Sequence, residues 1–319
     1  GGAGAPEKVR ARFESRHVAV RSTTGEMKQA LPILTWLLWL VLAGPTYLQS
    51  NWEVALVLFA AWMLVPEGLV LLGLRVSPLY WASVVLLSVA YALNDSTFDW
   101  RAVPALPYVG LALWLTVREA ARLLEIPKIQ LTDIVRVAAL AYWATGAVFA
   151  FCFLAGLQPL GFDAVIVSLT AAHFHVAGFV LAVVAYCMLK VRPGRFTSVA
   201  GWAVLAGMPS VAMGIVLTKL GYSPTFEWVS ALFFAVFAAL IVEWHLLQSV
   251  DRRFPMTARR FWLAGALCLL GGVSLATLYA LRFHFPMAWI NIPNMKIWHG
   301  TLNTLGFAWL TLRGWRFFI

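Results

Sequence analysis

The sequence predicts an all-α, polytopic integral membrane protein, a helical bundle of about ten transmembrane helices with both termini in the cytoplasm. Composition is the first observation, because 61% of the 319 residues are hydrophobic and only 12% are charged, whereas soluble domains carry about 25% charged residues. The 16 Trp and 21 Phe suit the aromatic belts of the two membrane interfaces. The third observation is a succession of apolar runs, each close to the spanning length of about 20 residues.

Polar or Pro/Gly-rich joints separate these runs, and a basic N-terminal arm of residues 1–30 precedes them, so the transmembrane domain covers residues 31–319. The predicted spans are residues 31–49, 53–73, 77–94, 103–121, 134–156, 163–189, 198–219, 226–247, 260–281 and 295–315. Pro104 and Pro107 interrupt the first turns of the fourth span, which is either a full span or a partly re-entrant segment. Pro66 and Pro209 predict interrupted helices in the second and seventh spans, which leaves open an inverted repeat of five plus five spans.

Loop charges set the orientation, because Lys and Arg accumulate on the cytoplasmic side of a membrane. With the N-terminus inside, all but four of the 24 Lys and Arg lie on that side, and the exceptions are Arg101, Lys219, Arg282 and Lys296. The net charge of +10 is spread along loop edges rather than gathered on one basic face. The predicted partner is therefore the lipid bilayer and not a nucleic acid, and the oligomeric state is left open.

Two histidines stand near the middle of the sixth span, in the run AHFHVAGF from Ala172 to Phe179. Because His173 and His175 are two positions apart, they point about 200° away from each other around a helix. One of them is expected to enter a polar site, while the other anchors a neighbouring helix. Neutral imidazole suits such a site, since it can lose water without carrying charge and can exchange a proton near neutral pH.

The tenth span opens with a second polar run, HGTLNTLGF from His299 to Phe307. His299 and Asn303 are four residues apart and therefore share a helix face, and they reach depths close to those of the span-six histidines. We expect the two runs to meet in one polar chamber. Glu67, beside Pro66 in span two, is expected to be buried and protonated, and so to serve as a general acid.

Metal and haem sites are the remaining interpretations of the histidines. His173, His175 and His299 could supply three ligands to zinc or iron, but no carboxylate is predicted at their depth. The tripeptide from His173 to His175 is similar to the one that ligates both haems in haem-copper oxidases, whose other motifs are absent from this sequence. We therefore predict no cofactor and no metal.

The AHFHVAGF and HGTLNTLGF runs, within a similar order of hydrophobic spans, resemble the YndJ-like family of bacterial polytopic membrane proteins. Where that pattern reads HGxxNAxGF, this chain has Thr304 in place of Ala. The resemblance implies a multi-pass protein of the bacterial inner membrane in which His173, His175, His299 and Asn303 matter. Because that family is often labelled a transporter without an established substrate, the resemblance implies topology and the importance of these residues more than any particular reaction.

The leading hypothesis from the residues themselves is a membrane enzyme that cyclises, isomerises or adds to a lipophilic isoprenoid, polyketide or lipid-like substrate by proton transfer. His173 or His175 would shuttle the proton, His299 would be its counterpart, Asn303 would orient the substrate and Glu67 would be the acid. Acid–base chemistry is favoured because the sequence contains no DxxD pair, GxSxG elbow or phosphate-binding Gly loop. The alternative is a secondary transporter with the same residues as a proton relay, and a haem or metal protein is the third possibility.

Overall fold

A computed structural model describes residues 24–43, 50–93 and 100–319. Across these ranges the chain is all-helical, without strands, and it contains six helices that are long and apolar enough to cross a membrane. The all-helical class is thus confirmed with six candidate spans, while ten spans and cytoplasmic termini stay predictions. Of the basic arm predicted at residues 1–30, residues 1–23 lie outside the described residues. Residues 24–30 belong to the first helix.

Ten helical segments correspond in order to the ten predicted apolar runs. They are α1 (Thr24–Ala43), α2 (Trp52–Leu71), α3 (Pro78–Leu93), α4 (Leu106–Leu123), α5 (Leu131–Leu154), α6 (Ala164–Val191), α7 (Arg195–Lys219), α8 (Thr225–Val250), α9 (Met256–Ala280) and α10 (292–318). The six candidate spans are α2 and α5 to α9, the last extended to Phe283. A 3₁₀ segment, Trp100–Ala105, precedes α4.

The prolines do not interrupt the helices as expected. Pro209 lies inside a continuous α7, and α2 continues through Pro66 after a π-helical segment. Because proline lacks an N–H, the carbonyl four residues earlier loses its partner. At Pro66 the wider turn of the preceding π-helical segment accommodates that loss. Pro107 falls in the first turn of α4, where a missing N–H costs nothing.

Helices α6 to α10 pack side by side in chain order, and α10 returns to contact α6, so that these five helices close a ring. Helix α2 lies along the seam between α6 and α10 and contacts both. It is the most enclosed candidate span, because 89% of an apolar stretch of 18 residues within it is buried, against 17% for the corresponding stretch of α8. The seam covered by α2 is therefore the interior of the fold, and α8 is its periphery.

Each of the three seam helices contains a π-helical segment: Ala60–Leu64 in α2, Phe174–Val180 in α6 and Leu302–Ala308 in α10. The segment of α6 contacts both of the others. Single π turns inside α-helices are rare and occur frequently at functional sites. Both predicted polar runs carry such a turn, so the irregular backbone and the polar side chains mark the same place.

Candidate functional site

His173 of α6 and His299 of α10 meet at the seam. Their rings stack with centroids 6.1 Å apart and planes 29° from parallel. Two runs that are more than a hundred residues apart in sequence therefore bring their imidazoles together. The His173 side chain is exposed, whereas His299 is half-buried.

Hydrogen bonds assign the tautomers of this pair. His173 Nδ1 lies 2.7 Å from the carbonyl of Leu169, and His299 Nδ1 lies 2.9 Å from the carbonyl of Gly272. Because a carbonyl only accepts, each Nδ1 carries the proton in the neutral ring. Asn303 Nδ2 lies 3.1 Å from His299 Nδ1 and 3.2 Å from His299 Nε2, and because Nδ1 carries the proton, only Nε2 can accept from the amide. Within the part of the chain that the structure describes, His173 Nε2 has no hydrogen-bond partner, and it is the available base of the pair.

Gly272 makes the close contact between α9 and α10 possible. It supplies the carbonyl that orients His299, and a Cβ at this position would overlap the side-chain amide of Asn303. Any larger residue must therefore displace Asn303, His299 or the whole of α9. The small residue is a geometric requirement of the His299–Asn303 arrangement.

A buried ion pair lies next to the histidines. Glu53 of α2 is 2.9 Å from Lys296 of α10, and the two side chains are 1% and 9% exposed. Ser168 of α6 donates to Glu53 over 3.1 Å, and Trp52 donates to Thr301 over 2.9 Å. The three seam helices are thus bound together about one turn from the histidine pair.

Sequence reasoning missed this pair. It counted Lys296 among the outer loop charges and placed Glu53 at the edge of a span, so neither was considered as a site residue. The available signal was two opposite charges at the beginning of two otherwise apolar spans. Since a buried charge needs a partner, each could have been assigned to the other.

Glu67 lies at the opposite end of α2, fourteen residues from Glu53, which is a rise of about 21 Å along the helix. Its carboxylate is 3.3 Å from Arg313 and 2.9 Å from Arg316, both on α10. The structure therefore does not bring Glu67 together with the histidines, because its half-buried carboxylate contacts two guanidinium groups at the far end of α2.

His175 also stands apart from the pair. Its Nδ1 lies 2.8 Å from the carbonyl of Ala171, and its Nε2 accepts from the hydroxyl of Tyr108 at 3.1 Å. That hydroxyl accepts from Trp143 Nε1 at 2.8 Å, and His175 is fully buried. Both ring nitrogens of His175 are therefore engaged, and the Nε2 bond links α6 through Tyr108 to α4 and through Trp143 to α5.

The proposed ligand set of His173, His175 and His299 is therefore not assembled, since His175 binds on the other side of α6. Among the described residues, no group of three or more His, Cys, Asp or Glu side chains has an arrangement that could hold a metal ion. The alternative of a three-histidine zinc or iron site does not fit this geometry.

Comparisons with known proteins place the chain in a family. The model of the YndJ-like proteins matches residues 55–307. The chain is 26% identical over 212 residues to "Uncharacterized membrane protein YndJ" of Bacillus subtilis (strain 168), an alignment that covers 66% of this chain and 35% of the relative. The alignment thus spans about a third of the relative's length. No solved structure matches the chain. Both polar runs that meet at the seam fall within the matched residues, and the chain belongs to the YndJ-like family.

Proposed function

We propose that this protein is a proton-coupled secondary transporter of a small lipophilic molecule, with His173 and His299 as its proton-accepting site. The observation that carries the proposal is the placement of two ion-pair junctions between the same two helices. Glu53 and Lys296 join α2 to α10 at one end of the seam, and Glu67 with Arg313 and Arg316 joins them at the other. A carrier must open its two ends alternately, and reversible junctions at both ends suit that requirement.

Proton uptake at the histidines weakens the nearer junction. His299 and Lys296 are three residues apart and share a helix face. A positive charge on the stacked pair repels Lys296 and attracts Glu53. At a separation of about 10 Å and an effective dielectric constant of about 20, the repulsion of Lys296 amounts to about 1.7 kcal/mol. The charge therefore acts in opposite directions on the two partners of the junction. It favours separation of Lys296 from Glu53 and leaves the Glu67 junction, more than 15 Å further along, much less affected.

The π-helical segments provide the movable backbone. A π turn contains a loosely bonded extra residue, and converting it to α-helix shifts the rest of the helix. The two helices that the junctions join, α2 and α10, each carry one between the two junctions, and the π segment of α6 contacts both of them. Breaking the Glu53 junction can therefore move one end of the seam while the other end stays packed.

An enzyme is the second candidate, and the accessible Nε2 of His173 favours it. An exposed, unbonded imidazole nitrogen beside a histidine held by Asn303 is suited to general acid–base catalysis. The chemistry would be cyclisation, isomerisation or addition on a lipophilic substrate. In that case the junctions stay closed during turnover, which separates the two candidates experimentally.

Disulfide trapping tests the transporter proposal without a known substrate. A Cβ on Gly300 would lie 2.7 Å from Leu56 Cδ1, across α2 and α10 beside the Glu53 junction. In a background without the three native cysteines, Leu56→Cys/Gly300→Cys should cross-link under mild oxidation at about pH 8 and several-fold less at about pH 5.5. His173→Gln should abolish this difference, because the charge then no longer forms.

The matched control is Leu131→Cys/Gly201→Cys, another leucine–glycine contact, which joins α5 to α7 away from the seam. It corrects for the slower oxidation of thiols in acid. If the two pairs show the same pH dependence, or if His173→Gln leaves the difference intact, the proton-controlled opening of this end is contradicted.

A further inference from the structure

Three arginines surround a single buried carboxylate at the end of α4. Glu119 is 2% exposed, and its oxygens accept from Arg118 at 2.7 Å, Arg122 at 2.8 Å and Arg136 at 2.9 Å. The first two arginines precede and follow Glu119 on α4, and Arg136 comes from α5. One negative charge thus fixes three positive ones, and the cluster has a net charge of +2.

The guanidinium groups keep free donors on the surface. Arg118, Arg122 and Arg136 are 35%, 53% and 26% exposed. Each guanidinium has five N–H donors, and Glu119 engages only one or two from each. Because Glu119 holds the arginine planes in place, the remaining donors form a prearranged anion-binding surface, and little side-chain entropy is lost when an anion binds.

The neighbouring surface of α4 is suited to a lipid chain. Leu106, Gly110, Leu113 and Val117 are exposed at successive turns of one face, an apolar stripe of helical period. Trp114 is 55% exposed, and its ring lies 4.8 Å from the Arg118 guanidinium. Tryptophan prefers the level of the lipid head groups, so the stripe runs towards the membrane interior and the arginines lie at the level of the phosphates.

We infer that this cluster is a binding site for an anionic phospholipid, such as phosphatidylglycerol, whose phosphate contacts Arg118 and Arg122 while an acyl chain follows the stripe on α4. Arginine binds phosphate with two parallel hydrogen bonds, and basic pockets between helices at the membrane surface bind acidic lipid head groups. The net charge of +2 attracts a lipid with a net negative charge more strongly than phosphatidylcholine, whose choline cation balances its phosphate.

Native mass spectrometry of the full chain tests this site. Protein from vesicles of equal parts phosphatidylcholine and phosphatidylglycerol should retain phosphatidylglycerol in preference. Arg122→Gln should reduce its retention about fivefold, and Arg118→Gln/Arg122→Gln should reduce it further by a similar factor. If the double variant does not fold, the retention of phosphatidylglycerol by Arg122→Gln alone decides the test. In that single variant Arg118 and Arg136 still pair with Glu119.

The matched control is Arg260→Gln, which removes the same charge from an exposed position near the start of α9. That helix packs on α8 and α10, so its variant should bind phosphatidylglycerol as the parent does. Equal losses in Arg260→Gln and Arg122→Gln would overturn the site. Displacement of the bound anion by millimolar inorganic phosphate would show a soluble anion rather than a lipid as the ligand, and would equally overturn the inference.

Discussion

His173 and His175 stand two residues apart on α6 and occupy opposite environments. Both donate Nδ1–H to the carbonyl four residues earlier. The Nε2 of His175 accepts from Tyr108 inside a sealed aromatic cluster, whereas the exposed His173 has no partner at Nε2 and stacks on His299. The two residues thus share one sequence motif but differ in burial and in whether Nε2 already has a hydrogen-bond partner. From this difference we propose that His173, and not His175, exchanges a proton.

The two sides of α6 also differ in how they hold together. On the His175 side, neutral hydrogen bonds and tilted or edge-to-face aromatic contacts join Tyr80, Tyr108 and Trp143. On the His173 side, ion pairs and π-helical backbone join α2, α6 and α10. Neutral, fully bonded packing does not respond to a proton, while an ion pair near a titrating group does. We therefore assign stability to the first side and movement to the second.

His175→Ala should produce the largest effect. It leaves the Tyr108 hydroxyl without its acceptor and opens a cavity, for an expected loss of about 3 kcal/mol in the free energy of unfolding. His173→Ala removes an exposed side chain and should change stability by less than about 0.5 kcal/mol. Unfolding in mixed detergent micelles measures both. A larger loss in His173→Ala than in His175→Ala would reverse the assignment.

Gly146→Ala should have the next largest effect. An added Cβ would lie 2.5 Å from His175 Nδ1 and 3.2 Å from the Ala171 carbonyl, so it disturbs the hydrogen bond between them and should destabilise the protein by about 1–3 kcal/mol. Gly110→Ala on α4 is the matched control, because nothing lies within 4 Å of a Cβ there. It should be neutral or stabilising by up to about 1 kcal/mol. Equal melting temperatures for the two variants would contradict the tight packing around His175.

The sequence was sufficient to place the helices, because apolar runs of spanning length are a local property. It was also sufficient to separate His173 from His175, since that separation follows from the helix period. It did not indicate Glu67 as the partner of Arg313, 246 residues away, or Lys296 as the partner of Glu53. Those contacts depend on which helices become neighbours. The π turns were missed for a related reason: three helices must pack together before the insertions can be accommodated.

Carbethoxylation of the folded protein by diethyl pyrocarbonate tests the difference between the two histidines most directly, because the reagent attacks an unprotonated, accessible imidazole nitrogen. Fragment mass spectra of the peptide that contains both residues should locate the modification on His173, with His175 unmodified until the protein is denatured. Modification of His175 in the folded protein at the same rate as His173, or protection of both, would contradict the assignment of His173 Nε2 as the available base.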